Sequence, residues 1–347
     1  MNRFLELLAA HAHEPWAMLA EAFQEMKAKA AERNDVGASA KSMMALPGTA
    51  VRVDKIAIIP IQGTIFPKAN DMTAYYGLVT ADVLRREVQA AANDPSIEAI
   101  ILDVDSPGGV VTGVSEAAQA IHEAAQQKPV VAVVTGMAAS AAYHLASQAS
   151  EILVLGSGMA GSIGVFIAHW DMSKALERYG EKVTFVHAGK FKVDGNPFEP
   201  LSETARADMQ QKVNAIYESF VADVARGRKR SVADVKANFG EGRVLLAKDA
   251  VAAGMADYIG TMGQAVSRLL RSQKGGSIGV RAFTTVREFE AFLRDEGRCS
   301  AAEAKRIAAA GYKASDPRDG ERAETSGEMD ADAMAAARDF IASCPQP

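Results

Sequence analysis

Between residues 51 and 272 the chain alternates short, continuous apolar runs with stretches of helical periodicity. The run from Lys55 to Ile61 reads as a buried strand. Thr80 and Asp82 open a helix that stops by Pro95. Ala99 to Val104 reads as a second buried strand and leads into Ser106-Pro107-Gly108-Gly109. A helix follows to Gln127, then a strand from Pro129 to Val134. Ser140 opens the next helix, and Ile152 to Leu155 is another strand. Strands that are apolar throughout, rather than at every second position, are covered on both faces. The alternation therefore predicts an α/β fold with a parallel sheet between helices. Ligands of such sheets sit beyond the carboxyl ends of the strands. Two Gly-containing loops, Ser106–Gly109 and Gly136–Ser140, fall at that edge and mark a candidate site by position alone.

The flanking regions carry different patterns. From Met1 to Ala30, apolar residues alternate with Glu, His and Lys at helical spacing, which predicts an amphipathic docking helix within a helical arm and linker over 1–50. The third region, 273–347, opens with Lys274-Gly275-Gly276-Ser277. Glu288 to Arg294 predicts a short helix. Ser300-Ala301-Ala302-Glu303 is a capping box that starts a second helix, ended by Gly311. From Asp316 onward the chain is polar and rich in small residues, the composition of a tail that orders only on a partner.

Composition narrows the functional class. The chain has 347 residues, 48% of them hydrophobic, and a net charge of −5 with both signs interspersed. That argues against a nucleic-acid surface, which concentrates basic residues. Cys299 and Cys344 are the only cysteines, too few for a disulfide framework or a zinc site. No His/Cys/Asp cluster has ligand spacing, so neither metal nor organic cofactor is expected. No apolar run approaches the ~20 residues of a membrane span. The N-terminus lacks the layout of a signal peptide, and a cytoplasmic location without a membrane anchor is expected.

The segment Gly136-Met137-Ala138-Ala139-Ser140-Ala141-Ala142-Tyr143 places one hydroxyl where a tight turn meets a helix start. Small neighbours leave that oxygen within reach of a bulky substrate. The first N–H groups of the helix are unpaired and face incoming negative charge. An acyl-transfer nucleophile needs this geometry, although a small-residue helix packed on a sheet has the same sequence. His144 is one turn along the same helix face and poorly placed to act as base, so it reads as a structural or rim residue. His11, His13 and His122 fall on surface helices, and His169 and His187 have no motif around them. A lysine is the other candidate base. It titrates ordinarily near ~10.4, and bringing it close to neutrality costs roughly 4 kcal/mol, which burial supplies. Lys192 lies in the turn-rich stretch Gly189-Lys190-Phe191-Lys192-Val193-Asp194-Gly195-Asn196-Pro197-Phe198. Most loop lysines are solvated.

Four motifs taken together carry a resemblance. Val104-Asp105-Ser106-Pro107-Gly108-Gly109, Ala138-Ala139-Ser140-Ala141-Ala142-Tyr143, Gly161-Ser162-Ile163-Gly164-Val165, and Lys192 followed by Gly195-Asn196-Pro197 occur in order. They resemble the signal peptide peptidase A (protease IV) family over 51–272, including Gly242-Arg243-Val244 and Gly254-Met255-Ala256-Asp257. The resemblance implies a Clp protease/crotonase-like fold and a serine endopeptidase with a Ser–Lys dyad, Ser140 as nucleophile and Lys192 as general base. Lys190 is set aside because the family lysine precedes its Gly-x-Pro turn by the distance Lys192 does. The resemblance further implies Ser162 as the lysine-orienting hydroxyl and the N–H groups of Gly109 and Ala141 as oxyanion donors. Gly108, Gly161, Ile163 and Gly164 would bind substrate, which pairs as an added strand. It also implies a homo-oligomer, ring-like, whose active sites are completed between neighbouring protomers.

Two departures refine this picture. Ala141-Ala142 stands where the family often has Gly-Gly, leaving an open pocket on a less permissive backbone. There is one motif set, without the membrane anchor of many bacterial members. A single unanchored unit with a helical arm and a long tail resembles the capsid assembly protease branch of tailed phages, as does the stretch from Phe289 to Lys305. That implies protein or peptide substrates, with capsid, portal or scaffold proteins as partners, in the host cytoplasm inside the procapsid. The rival readings are a bacterial degradative protease, a crotonase-type acyl-CoA enzyme and a non-catalytic assembly protein.

Overall fold

A computed structural model of the chain describes residues 14–25, 50–70, 73, 78–273 and 305. Its centre is a mixed sheet whose strands β3 (Ile56–Gln62), β6 (Ala99–Ser106) and β8 (Val130–Ala139) run parallel. Beyond β8 the sheet forks. Val131–Val134 pair in parallel with β9 (Glu151–Val154), whereas Met137–Ala139 pair in parallel with β10 (Met159–Gly161). The margins are β2 (Val51–Val53), antiparallel to β3; β11 (Val244–Leu246), antiparallel to β10; and β12 (Tyr258–Ile259), parallel to β9. A second, small sheet has the order β1 (Trp16–Met18), β7 (Gly108–Val110), β4 (Ile65–Phe66), β5 (Val79–Thr80).

The apolar strands are buried on both faces, as the sequence pattern requires. Ile59, Ile61, Ile100, Leu102, Ala132 and Val134 join one core cluster. That cluster includes residues of α1 (Ala81–Asn93), α2 (Val114–Gln127), α3 (Ala141–Ala146) and the end of α5 (Glu203–Arg228). The intervening Ile56, Ile58, Ala99, Ile101, Val131 and Val133 point the other way. They meet Met262, Ala265, Val266 and Leu269 of α8 (Met262–Gln273). Residues two apart on a strand share a face, so one strand serves two cores. Each fully buried aliphatic side chain contributes about 1.5–3 kcal/mol. Further helices are α4 (Ser173–Tyr179), α6 (Val232–Asn238) and α7 (Ala247–Ala252). The helix ends follow local chemistry. Asp94-Pro95 stops α1, and the Ser202 hydroxyl caps α5 by accepting from Ala205 N–H at 3.2 Å.

Three expectations change. The two loops at the sheet edge are largely strand, since β6 continues through Ser106 and β8 through Ala139. The helix expected over Met1 to Ala30 is interrupted, because Trp16–Met18 is the strand β1 and helical turns resume only at residues 20–25. Pro15 precedes β1 and cannot donate to a helix, and tertiary pairing with Gly108–Val110 overrides the apolar periodicity. β1 thereby joins the small sheet instead of forming a separate arm. The helices expected at Glu288–Arg294 and from Ser300, together with the polar tail, lie outside the described residues.

Candidate active site

The carboxyl ends of β6 and β8 meet at the expected edge. Ser106 pairs with Ala138, after a register shift beyond Val104, and Ala139 pairs with Gly161 of β10. Ser140 follows at once as the N-cap of α3, with φ 55° and ψ −117°. A positive φ in a non-glycine residue costs about 1–3 kcal/mol and persists only where the surroundings enforce it. Here the Ser140 N–H donates to Gly161 O at 2.7 Å and its carbonyl accepts from His144 N–H at 2.9 Å. The hydroxyl, left over from backbone pairing, donates to Gly164 O at 3.2 Å. Ala141 is the first residue of α3, where an N–H has no intrahelical acceptor.

The Gly108-Gly109 pair lies beside this turn, and α3 packs against β7. Both glycines are required by close backbone approach. A Cβ on Gly108, at φ 98°, would run into the Ala17 carbonyl and sit 3.0 Å from Ala139 O; one on Gly109 would run into the Ile65 backbone. Gly108 N–H donates to Ser106 Oγ at 3.1 Å. On the opposite flank, Gly161 has φ 139° and its Cβ position is filled by Arg243 O. Ser162 has φ 54°, and its N–H donates to that same Arg243 carbonyl at 2.7 Å. Ile163 and Gly164 continue toward Phe166.

The fold thus gathers Ser140, Ala141, Gly108, Gly109, Gly161, Ser162, Ile163 and Gly164 around one edge. It does not add Lys192 within a single chain. Lys192 is exposed, in a turn closed by its own N–H to Gly189 O at 3.1 Å and by Asn196 Nδ2 to Val193 O at 2.9 Å. It lines an open pocket of about 350 Å³ with Ile167, Phe185, Asp208, Met209 and Lys212, a pocket to which Ser140 does not contribute. Nor does Ser140 lie open to solvent as its small neighbours suggested. It is fully buried.

The sequence reading of His144 as structural lacked its partner. His144 is buried and its Nε2 lies 2.9 Å from Asp223 Oδ2 on α5, with Phe220 stacked on the ring at 4.5 Å. Arg226 reaches the other Asp223 oxygen at 3.1 Å. Burial pushes the Asp223 carboxyl up, but the His144 hydrogen bond and the His144 and Arg226 charges together hold it below the ordinary carboxylate value. A separation of this length along the chain leaves no local signal, although Asp223 and Arg226 share one helix face. His144 also lines a cavity of about 120 Å³ with Val111, Val114, Val165, Phe220 and Ala17. Next to it, Tyr143 is fully buried and donates its hydroxyl to Met255 O at 2.9 Å; burial pushes its phenol up.

Comparison with known proteins gives this arrangement a family. Residues 122–275 match the model of "Peptidase family S49", a span that includes Ser140, Ser162 and Lys192. A putative protease of Methanocaldococcus jannaschii is 31% identical over 247 residues, 67% of this chain and 76% of that protein. The chain belongs to peptidase family S49. Two phage proteins are also similar to this S49 member. Capsid assembly protease C of Escherichia phage lambda is 34% identical over 204 residues, 59% of this chain and 46% of the relative. Head-tail preconnector protein GP5 of Enterobacteria phage P21 is 35% identical over 215 residues, 62% of this chain and 42% of the relative. The S49 chain therefore spans less than half the length of these two phage proteins. No helix among the described residues is long and apolar enough to cross a membrane.

Proposed function

We propose that the chain is a serine endopeptidase in which Ser140 attacks a peptide carbonyl and Lys192 of a neighbouring copy acts as the base. The observation that carries the reading is the strained Ser140 turn, which directly follows Ala138 and Ala139, the partners of Ser106 and Gly161, inside a family S49 match. Gly109 and Ala141 N–H groups hold the oxyanion. Each donor of this kind is worth about 3 kcal/mol of barrier. Lys192 protonates the leaving amine, and water resolves the acyl-enzyme by the same route.

Sharing of the site between copies rests on the surroundings of Lys192. Its segment exposes large apolar side chains: Tyr179 is 81% exposed, Val186 99% and Phe191 58%. Apolar surface of this kind on one segment marks a protein contact, and burial there would remove the Lys192 ammonium from water, favouring the neutral amine. Ser162 would orient that amine. The substrates are proteins of a phage head, by analogy with the relatives named for capsid assembly and for the head-tail preconnector. The test is hydrolysis of an unfolded protein by wild type, Ser140→Ala and Lys192→Ala, with mass spectrometry of an acylating serine probe. Both variants should lose at least a hundredfold in kcat, and the probe should label Ser140. Full activity in either variant would overturn the dyad.

A further inference from the structure

The groove beside Ser140 is occupied by the chain itself. β1 runs antiparallel to β7, with Trp16 opposite Val110, Ala17 opposite Gly109 and Met18 opposite Gly108. Val111 N–H donates to Pro15 O at 3.1 Å and Leu19 N–H to Pro107 O at 3.0 Å. Hydrogen-bonded pairs alternate along an antiparallel ladder, so the pair between these two, Ala17 and Gly109, also turns its backbone groups toward one another. On its other side, Trp16 exchanges two 2.9 Å backbone bonds with Phe166. β1 is therefore an added strand between β7 and the segment that begins at Gly164, whose carbonyl holds the Ser140 hydroxyl.

The register is that of a substrate. Ala17 presents its carbonyl to Gly109, a proposed oxyanion donor, beside the close contact at Gly108. The Ala17 side chain forms one wall of the small cavity lined by Val111, Val114, Val165 and Phe220, with Ser115, Ser219 and His144 at its polar positions. Trp16 anchors the strand in a cluster with Phe23, Phe66 and Val110. Its indole Nε1 is buried and has no hydrogen-bond partner among the described residues. Strand addition recognises backbone through the ladder and side chains through pockets at alternate positions.

We infer that the chain is its own substrate, with Ala17–Met18 as the scissile bond; this rests on the peptidase reading above. Ser140 Oγ bonds to the Ala17 carbonyl carbon and its proton passes to the Lys192 amine. The Ala17–Met18 C–N bond breaks, and the Met18 nitrogen takes that proton. Water then attacks the ester, returning one hydrogen to Ser140 Oγ and releasing the other as a proton to solvent, which leaves Ala17 as a carboxylate. Cleavage releases residues 1–17 and clears the groove for other proteins.

The test is intact-mass and N-terminal analysis of the full chain over time, with hydrolysis of an unfolded protein measured on the same samples. Wild type should accumulate a chain that begins at Met18, and Ser140→Ala should not. Ala17→Arg, which sets a charge against the cavity wall, should slow N-terminal cleavage at least tenfold and delay cutting of the unfolded protein with it, since β1 then keeps the groove. An intact N-terminus in a preparation that degrades the unfolded protein overturns this inference and leaves the peptidase reading standing. A new N-terminus elsewhere than Met18, or undiminished cleavage of Ala17→Arg, also overturns it. Failure to cut either substrate overturns both.

Discussion

His144 Nε2 and Asp223 Oδ2, 2.9 Å apart, tie helix α3 to helix α5 directly behind the Ser140 turn. The pair is partly buried, so each partner depends on the other. Replacing His144 by Ala leaves the Asp223 carboxylate short of a donor and removes the ring stacked on Phe220. We expect a loss of about 1–3 kcal/mol in unfolding free energy, read from urea denaturation. The Asp223→Asn variant should show a smaller loss on a His144→Ala background than on wild type.

The same pair sets an acid limit. The Asp223 carboxyl is held below its ordinary value in the folded chain, so the folded state binds that proton less readily than the unfolded one. Its contribution to stability is complete above about pH 4, the ordinary carboxylate value, and fades as pH falls through the lower folded value. Thermal unfolding of wild type should therefore lose ground relative to Asp223→Asn as pH falls through that interval.

The strained backbone at Ser140 makes a trade-off measurable. Glycine adopts positive φ without a Cβ penalty. Ser140→Gly should raise stability by about 1 kcal/mol while abolishing hydrolysis. A stability loss of that size would show that the turn is not strained in solution.

Gly161→Ala addresses the opposite flank. Its Cβ would meet the Arg243 carbonyl, and its φ of 139° disfavours any side chain. A cost of about 1–3 kcal/mol is expected, with a fall in activity, since Gly161 O accepts from Ser140 N–H. Retention of both would place the β10–β11 margin outside the site's support.

Site sharing predicts complementation. Ser140→Ala and Lys192→Ala chains, each inactive alone, should recover hydrolysis when mixed and allowed to exchange. Val186→Asp combined with Phe191→Asp, which breaks the exposed apolar segment, should lower both the sedimenting mass and the recovered activity.

Four strands of the central sheet, β3, β6, β8 and β9, were legible because they carry unbroken apolar runs, and each begins within about a residue of its expected start; the short β2, β10, β11 and β12 were not legible. The gathering of Ser106–Gly109 with Ser140 was legible in outline from position at strand ends, whereas Gly161–Gly164 was legible only from the family resemblance. What was not legible came from contacts distant in sequence. Nothing near Trp16 announces its pairing with Phe166, and only Pro15 warns that a helix cannot run through. Asp223 lies far from His144 along the chain, and its role depends on how α5 crosses α3. Lys192 is a third kind of case. Its role is read from a motif alone, and in the structure it is exposed beside a pocket to which Ser140 does not contribute.

The fork in the main sheet has a mechanical consequence. β8 hands its first half to β9 and its last residues to β10, so Ala138 is clamped between Ser106 and Ala160, and Ala139 is held by Gly161, just before Ser140. The serine then stands on a fixed anvil. Opposite it, the groove is bounded by three residues of β7 and an irregular segment from Ile163 to Phe166. In the proposed peptidase, the clamped side would fix the direction from which Ser140 attacks, whichever polypeptide is bound.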